Sequence, residues 1–137
     1  MEYQPFQIIS HTADIQLAIQ GKTWNELLEN ALRGTFWLTR PHIVPGSHCL
    51  ERSVTVHGTD REILLVQFLS ECLYYAAIYH ETYTKFHVTT ATETTVQGIL
   101  YGQPINTLEL EIKAVTYHEL SISYHHNLWH ARITYDI

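Results

Sequence analysis

Apolar positions between residues 24 and 36 recur at helical spacing. Trp24, Leu27, Leu28, Ala31, Leu32, Thr35 and Phe36 fall on one side of a predicted helix. Thr23-Trp24-Asn25-Glu26 has the form of a capping box, with Thr at the N-cap and Glu three residues on. Pro41 stops this helix. A second capping box, Thr59-Asp60-Arg61-Glu62, opens a second predicted helix. From Ile63 to Tyr79 it is apolar almost all round, interrupted by Gln67, Ser70 and Glu71. A helix of that kind is expected to be buried on most sides. A membrane span is the weaker reading. The stretch is at the short limit, contains Glu71, and runs out in tyrosines before His80-Glu81.

The remaining pattern reads as strands. Ile15 to Ile19 alternates, as does Val54-Thr55-Val56. The β-branched run from Phe86 to Thr95 predicts strand, turn, strand. Leu110–Thr116, Leu120–Tyr124 and Trp129–Tyr135 follow. In the last, Trp129, Ala131, Ile133 and Tyr135 share one face and His130, Arg132, Thr134 and Asp136 the other. His125-His126-Asn127 predicts a hairpin turn before it. This order predicts an α+β fold, with two helices packed on one face of a mostly antiparallel sheet.

Composition bounds what such a domain does. The chain has 137 residues, a length expected for one domain over 1–137, and 45% of it is apolar. The net charge is −6, with only three Lys and five Arg. Phosphate contacts rest chiefly on those residues, so nucleic acid as the main direct partner is disfavoured. Cys49 and Cys72 lack CxxC spacing, and the N-terminal residues lack a basic start and an apolar core. Both features lead us to expect reduced thiols and a cytoplasmic location.

Few catalytic patterns are present. The ten histidines form no HExxH pattern and no Cys-His cluster with zinc-ligand spacing. Neither GxGxxG, GxxxxGK[ST] nor GxSxG occurs. Three places remain. Ser10-His11-Thr12-Ala13-Asp14 is a polar cluster at the edge of a strand, readable also as an ordinary turn. Asp136 is the penultimate residue, so its carboxylate lies close to the α-carboxylate of Ile137. Two such groups repel unless a cation lies between them, although a solvated chain end is the plain alternative. Lys113 stands in the run Glu111-Ile112-Lys113-Ala114-Val115-Thr116-Tyr117-His118, either guarding a sheet edge or presenting a cation to an anionic site.

Taken together, these segments resemble the archease family over essentially the whole chain. The resemblance rests on His11-Thr12-Ala13-Asp14-Ile15, the Glu26–Ala31 helix, and the segment Gly58–Val66. It rests also on Ile112-Lys113-Ala114-Val115-Thr116-Tyr117-His118 and the terminal Tyr135-Asp136-Ile137. The chain departs from the family's pattern at Gly102-Gln103 and at Leu38-Thr39-Arg40. The resemblance implies an accessory protein, without catalysis of its own, that activates an RtcB-type RNA ligase in tRNA splicing or RNA repair. It would promote guanylylation of the ligase and its multiple turnover, touching RNA only through that partner, and no membrane. The resemblance also implies a divalent cation, calcium in family members, held by Asp14, Asp136 and the carboxylate of Ile137. His11, Lys113 and His118 would support the site or meet the partner. Oxygen-only ligands suit Ca²⁺, Mg²⁺ or Mn²⁺ better than zinc.

Two other readings stand beside this one. A carboxylate-held cation next to a lysine is also the equipment of a stand-alone metal-dependent phosphoesterase. Sixteen aromatic residues, nine of them Tyr, also suit a chaperone-like protein-binding module.

Overall fold

The structure, a computed structural model, describes residues 3–11 and 14–137, with the backbone alone for Ser10 and His11. It contains β1 (Phe6–His11), β2 (Asp14–Gly21), α1 (Trp24–Leu38), β3 (Pro41–Ile43) and β4 (Leu50–His57). Then follow α2 (Arg61–Tyr79), β5 (Glu81–Ala91), β6 (Thr95–Leu108), β7 (Ala114–His125) and β8 (Leu128–Asp136). The expected α+β class with two helices and antiparallel pairing is what the chain adopts. The strands divide between two sheets: β1-β2-β8-β7, and β3-β6-β4 with β5 also paired to β6.

Each helix joins the sheets. α1 packs on β2 and β5, and α2 on β4 and β7. The core therefore combines Ile15, Leu17, Ile19, Ile133 and Tyr135 of the first sheet with Val54, Tyr83, Phe86, Val96 and Leu100 of the second. Leu27, Leu28 and Leu32 of α1 and Leu64, Leu65, Phe68 and Leu69 of α2 fill the space between.

Helix caps follow the sequence with one shift. Thr23 Oγ1 accepts from the Glu26 N–H at 3.0 Å, as the capping box predicts. In α2 the N-cap is Asp60 rather than Thr59, its Oδ1 accepting from the Ile63 N–H at 2.9 Å. The expectation that α2 is buried on most sides holds only for its first half. Leu64 to Cys72 supply all its buried residues, whereas Tyr74, Ile78 and Tyr79 are exposed. Sheet contacts cover the start of α2; in its last two turns Leu73, Tyr75 and Ala76 still pack partly against the core and Arg52 lies over the Tyr79 ring, while the other side faces out.

Three further differences have local causes. Phe6–His11 is a strand whose alternation is broken by a register shift between Ile8 and Ser10. Pro41–Ile43 forms a short strand against the far end of β6. Residues 110–113 are not strand, because the Glu109 and Leu110 N–H groups both turn to the Thr39 carbonyl, at 3.0 and 3.1 Å. The predicted hairpin turn is present. His126 and Asn127 both take positive φ, 54° and 61°, as a two-residue primed turn requires.

Candidate functional site

The first residue of β2 and the last of β8 meet at one end of the first sheet. Asp14 is the direct cross-strand partner of Asp136, and Ala114 of β7 is its partner on the other side. The pleat sets their direction. Ile15 and Tyr135, one residue along, are buried in the core, so both aspartates face outward on the opposite side. Asp14 is half-buried and Asp136 exposed.

The end of β8 is held from several directions. Tyr135 is fully buried, and its hydroxyl lies 2.6 Å from Thr35 Oγ1 on α1. Burial raises the Tyr135 pKa, so the phenol stays neutral. The Lys113 N–H donates to the Asp136 carbonyl at 2.8 Å. Ile137 then packs partly buried against the core. Its terminal carboxylate follows Asp136 by one residue. Order at the chain end is thus provided by packing and backbone pairing, with no need of an ion.

Two like charges directly opposite on neighbouring strands destabilise the pair. Among the described residues, neither Asp14 nor Asp136 has an ion-pair partner. The two side chains at this corner, Asp14 and Asp136, offer oxygen only, the donor type that a hard divalent cation takes. Among the described residues, no three His, Cys, Asp or Glu side chains gather at ligand spacing.

The next row of the outer face is polar and tied together. Gln16 pairs with Thr134 across the strands, and its Nε2 donates to Thr134 Oγ1 at 3.3 Å and to Glu119 Oε2 at 2.9 Å. Thr116 Oγ1 donates to the Thr134 carbonyl at 3.0 Å. These residues were not singled out in the sequence. The signal was the period-two polar face of β8, continued by Gln16 on β2.

The remaining candidates are placed differently. Lys113 lies just before β7 and is exposed; only its backbone N–H reaches Asp136. It lies outside β7, not within the continuous strand Leu110–Thr116 that the sequence pattern predicts. His118 sits in a bulge of β7, where the register shifts between Thr116 and Ser121. It is exposed, with Nε2 at 3.6 Å from Glu119 Oε1. His11 pairs through its backbone with Ile15, while its side chain, and Thr12 and Ala13 entirely, lie outside the described residues.

Comparison with known proteins agrees with this architecture. Residues 6–137 match the model of the archease protein family (MTH1598/TM1083). The chain is 33% identical to protein archease of Methanosarcina mazei, covering 96% of this chain and 95% of that protein. It is 29% identical to protein archease of Sulfurisphaera tokodaii, covering 98% and 99%. The solution structure of Methanobacterium thermoautotrophicum protein 1598 superposes with a TM-score of 0.73 at 24% identity, covering 97% of this chain and 99% of that one. The crystal structure of an archease from Thermotoga maritima, described as a possible chaperone, gives 0.65 at 22%, covering 100% and 98%. A family match across nearly every residue, on a fold that the solved relatives share, means that this chain belongs to the archease family.

Proposed function

We propose that this archease is a cytoplasmic accessory protein that activates an RtcB-type RNA ligase, promoting its guanylylation and repeated turnover in tRNA splicing or RNA repair. The observation that carries the reading is the facing pair Asp14 and Asp136, outward-directed and without a basic partner among the described residues. Asp14, Asp136 and the Ile137 carboxylate would hold a divalent cation, calcium before magnesium or manganese. When bound, the ion supplies positive charge that cancels the repulsion and stiffens this corner of the sheet. The protein's own residues do the rest. Tyr135 fixes β8 to α1, Gln16 and Thr134 brace the adjacent row, and Lys113 presents a cation at the rim. His118, exposed on its bulge beside Glu119, is placed to meet a partner. His11 remains a candidate supporting residue through its place at the end of β1.

The test is guanylylation of the cognate ligase, with GTP and divalent metal, in the presence and absence of this protein. Stimulation supports the reading; an unchanged rate and unchanged turnover number overturn it.

A chaperone-like mode of contact has its own support in the exposed apolar side of the end of α2, where Tyr74 is 58% exposed and Ile78 47%. Loss of ligase stimulation on Tyr74→Ser with Ile78→Ser, and not on changes at Asp14 or Asp136, would favour that mode.

A further inference from the structure

We propose that the cleft at the C-terminal end of α1 binds a nucleotide unit, with its base against Trp37 and its phosphate between Arg33 and Arg40. The cleft has a volume of about 440 Å³, within the range of small-ligand sites, and its walls include Arg33, Trp37, Arg40, Phe6, Phe36 and Thr82.

Four observations converge there. Arg33 and Trp37 are four residues apart and so lie on one side of α1. Arg40 follows the C-cap Thr39 with φ of 45°, a left-handed conformation that turns the chain at the cleft's edge. Among the described residues, neither guanidinium has a carboxylate partner. Arg33 donates only to Asn30 Oδ1 at 3.4 Å and lies 5.9 Å from the Phe6 ring centroid. Of the other three arginines, Arg52 is committed to Glu81 and Arg61 lies between Trp24 and Trp129, while Arg132 stands exposed on β8 away from this cleft. In a chain of net charge −6, two arginines at one rim without a direct carboxylate contact run against the bulk composition, although Glu29 lies within electrostatic reach of Arg33.

The aromatic side is equally specific. Trp37 is 49% exposed, although it already contacts Phe6 at a centroid distance of 5.2 Å. An indole held on one side and open on the other is a stacking platform. Thr82 lines the same cleft, and its Oγ1 is buried without a hydrogen-bond partner among the described residues. A buried hydroxyl of that kind is ordinarily paired, and a small shift of this wall would let the polar edge of a base reach it. The negative end of α1 weighs against an anion, but only within its last turn. There the Phe36 and Trp37 carbonyls already accept from Thr39 and Arg40 N–H groups, at 3.2 Å each.

Guanidinium forks match phosphate bidentately, and the indole takes a planar base. An acidic peptide would use the arginines but leave the indole and the buried hydroxyl without a planar partner. This inference is independent of Asp14 and Asp136. It would make contact with RNA direct, beyond contact through the ligase.

Titration calorimetry with hexa-adenylate RNA, adenosine 5′-monophosphate and hexaglutamate tests it. Hexa-adenylate, the monophosphate or both should bind, and which of them does separates an RNA strand from a free nucleotide. Trp37→Ala, Arg33→Ala and Arg40→Ala should each weaken binding by about tenfold. Arg33→Ala and Arg40→Ala, at exposed positions, should leave the melting temperature unchanged, Trp37→Ala should lower it only by the loss of its Phe6 contact, and Arg132→Ala should bind as wild type. Each arginine removed should lower the slope of log affinity against log salt by about 0.7. Absence of binding by both adenylates at millimolar concentration overturns the proposal. So do equal affinities across the variants, or hexaglutamate binding as tightly as hexa-adenylate.

Discussion

Asp14 and Asp136, separated by nearly the whole chain, are direct cross-strand partners on β2 and β8, and both face outward. Placing two carboxylates opposite each other costs stability. In chelator, Asp14→Asn or Asp136→Asn should therefore raise stability, by up to about 1 kcal/mol. Calcium should reverse the order. At a hundred times its dissociation constant it should stabilise wild type by about 2.7 kcal/mol and leave both variants unmoved. Thermal melts with and without calcium check this. Variants that melt lower in chelator and still respond to calcium would remove the carboxylate pair from the site.

Tyr135 is the anchor behind that pair. Tyr135→Phe keeps the ring in the core but leaves Thr35 without the 2.6 Å contact to the phenol. Thr35 Oγ1 retains its 2.7 Å bond to the Ala31 carbonyl, so the loss should be modest, about 1 kcal/mol by denaturant titration. A loss above about 3 kcal/mol would mean that the hydroxyl organises more of the corner than this one contact.

Glu81 and Arg52 form the best-defined ion pair in the second sheet. Arg52 Nη2 lies 2.5 Å and Nε 3.0 Å from the carboxylate, and the Tyr83 hydroxyl donates to it at 2.8 Å. Burial alone raises the Glu81 pKa, but the bonds from Arg52 and Tyr83 and the charge of Arg52 together bring it below its ordinary 4.5. The sign follows. This contribution is fully present above the unfolded-state pKa and is lost as pH falls through the lower folded value. Glu81 is 4% exposed and Arg52 34%. Arg52→Ala should therefore cost about 2–3 kcal/mol near neutral pH, less than a fully buried pair would. Melting temperatures followed from neutral pH to below pH 4.5 should show the wild-type advantage disappearing at the acid end.

Gly102 is where β5 passes closest to β6. A Cβ there would stand 1.8 Å from the Thr82 carbonyl oxygen, a backbone atom that cannot move aside alone. Gly102→Ala should cost about 3 kcal/mol or more, read by denaturant titration. A cost under about 1 kcal/mol would mean that the two strands separate easily.

Much of this architecture was legible in local pattern, because helix spacing, caps and period-two alternation report one element's own face. The α1 cap at Thr23 and the His126-Asn127 turn are of that kind. What was hidden depends on contacts made elsewhere. Residues 110–113 carry strand-like side chains, yet their approach is set by the Thr39 carbonyl at the end of α1. Tyr74, Ile78 and Tyr79 look like core, but at that end of α2 they stay largely exposed, Tyr79 meeting the sheet only through Arg52. Asp60 took the cap of α2 because two adjacent residues both had capping side chains, and the sequence alone does not rank them. At the site, the two aspartates were visible as terminal outliers. Their pairing in one register was not, since it needs β2 and β8 to be neighbours. The Gln16–Thr134–Glu119 brace was hidden for the same reason.

The most direct measurement is guanylylation of the cognate RNA ligase with wild-type protein, Asp14→Asn and Asp136→Asn, each first confirmed to be folded. Wild type should stimulate the reaction and both variants should fail to do so. Full stimulation by both variants would contradict the role assigned to the carboxylate pair.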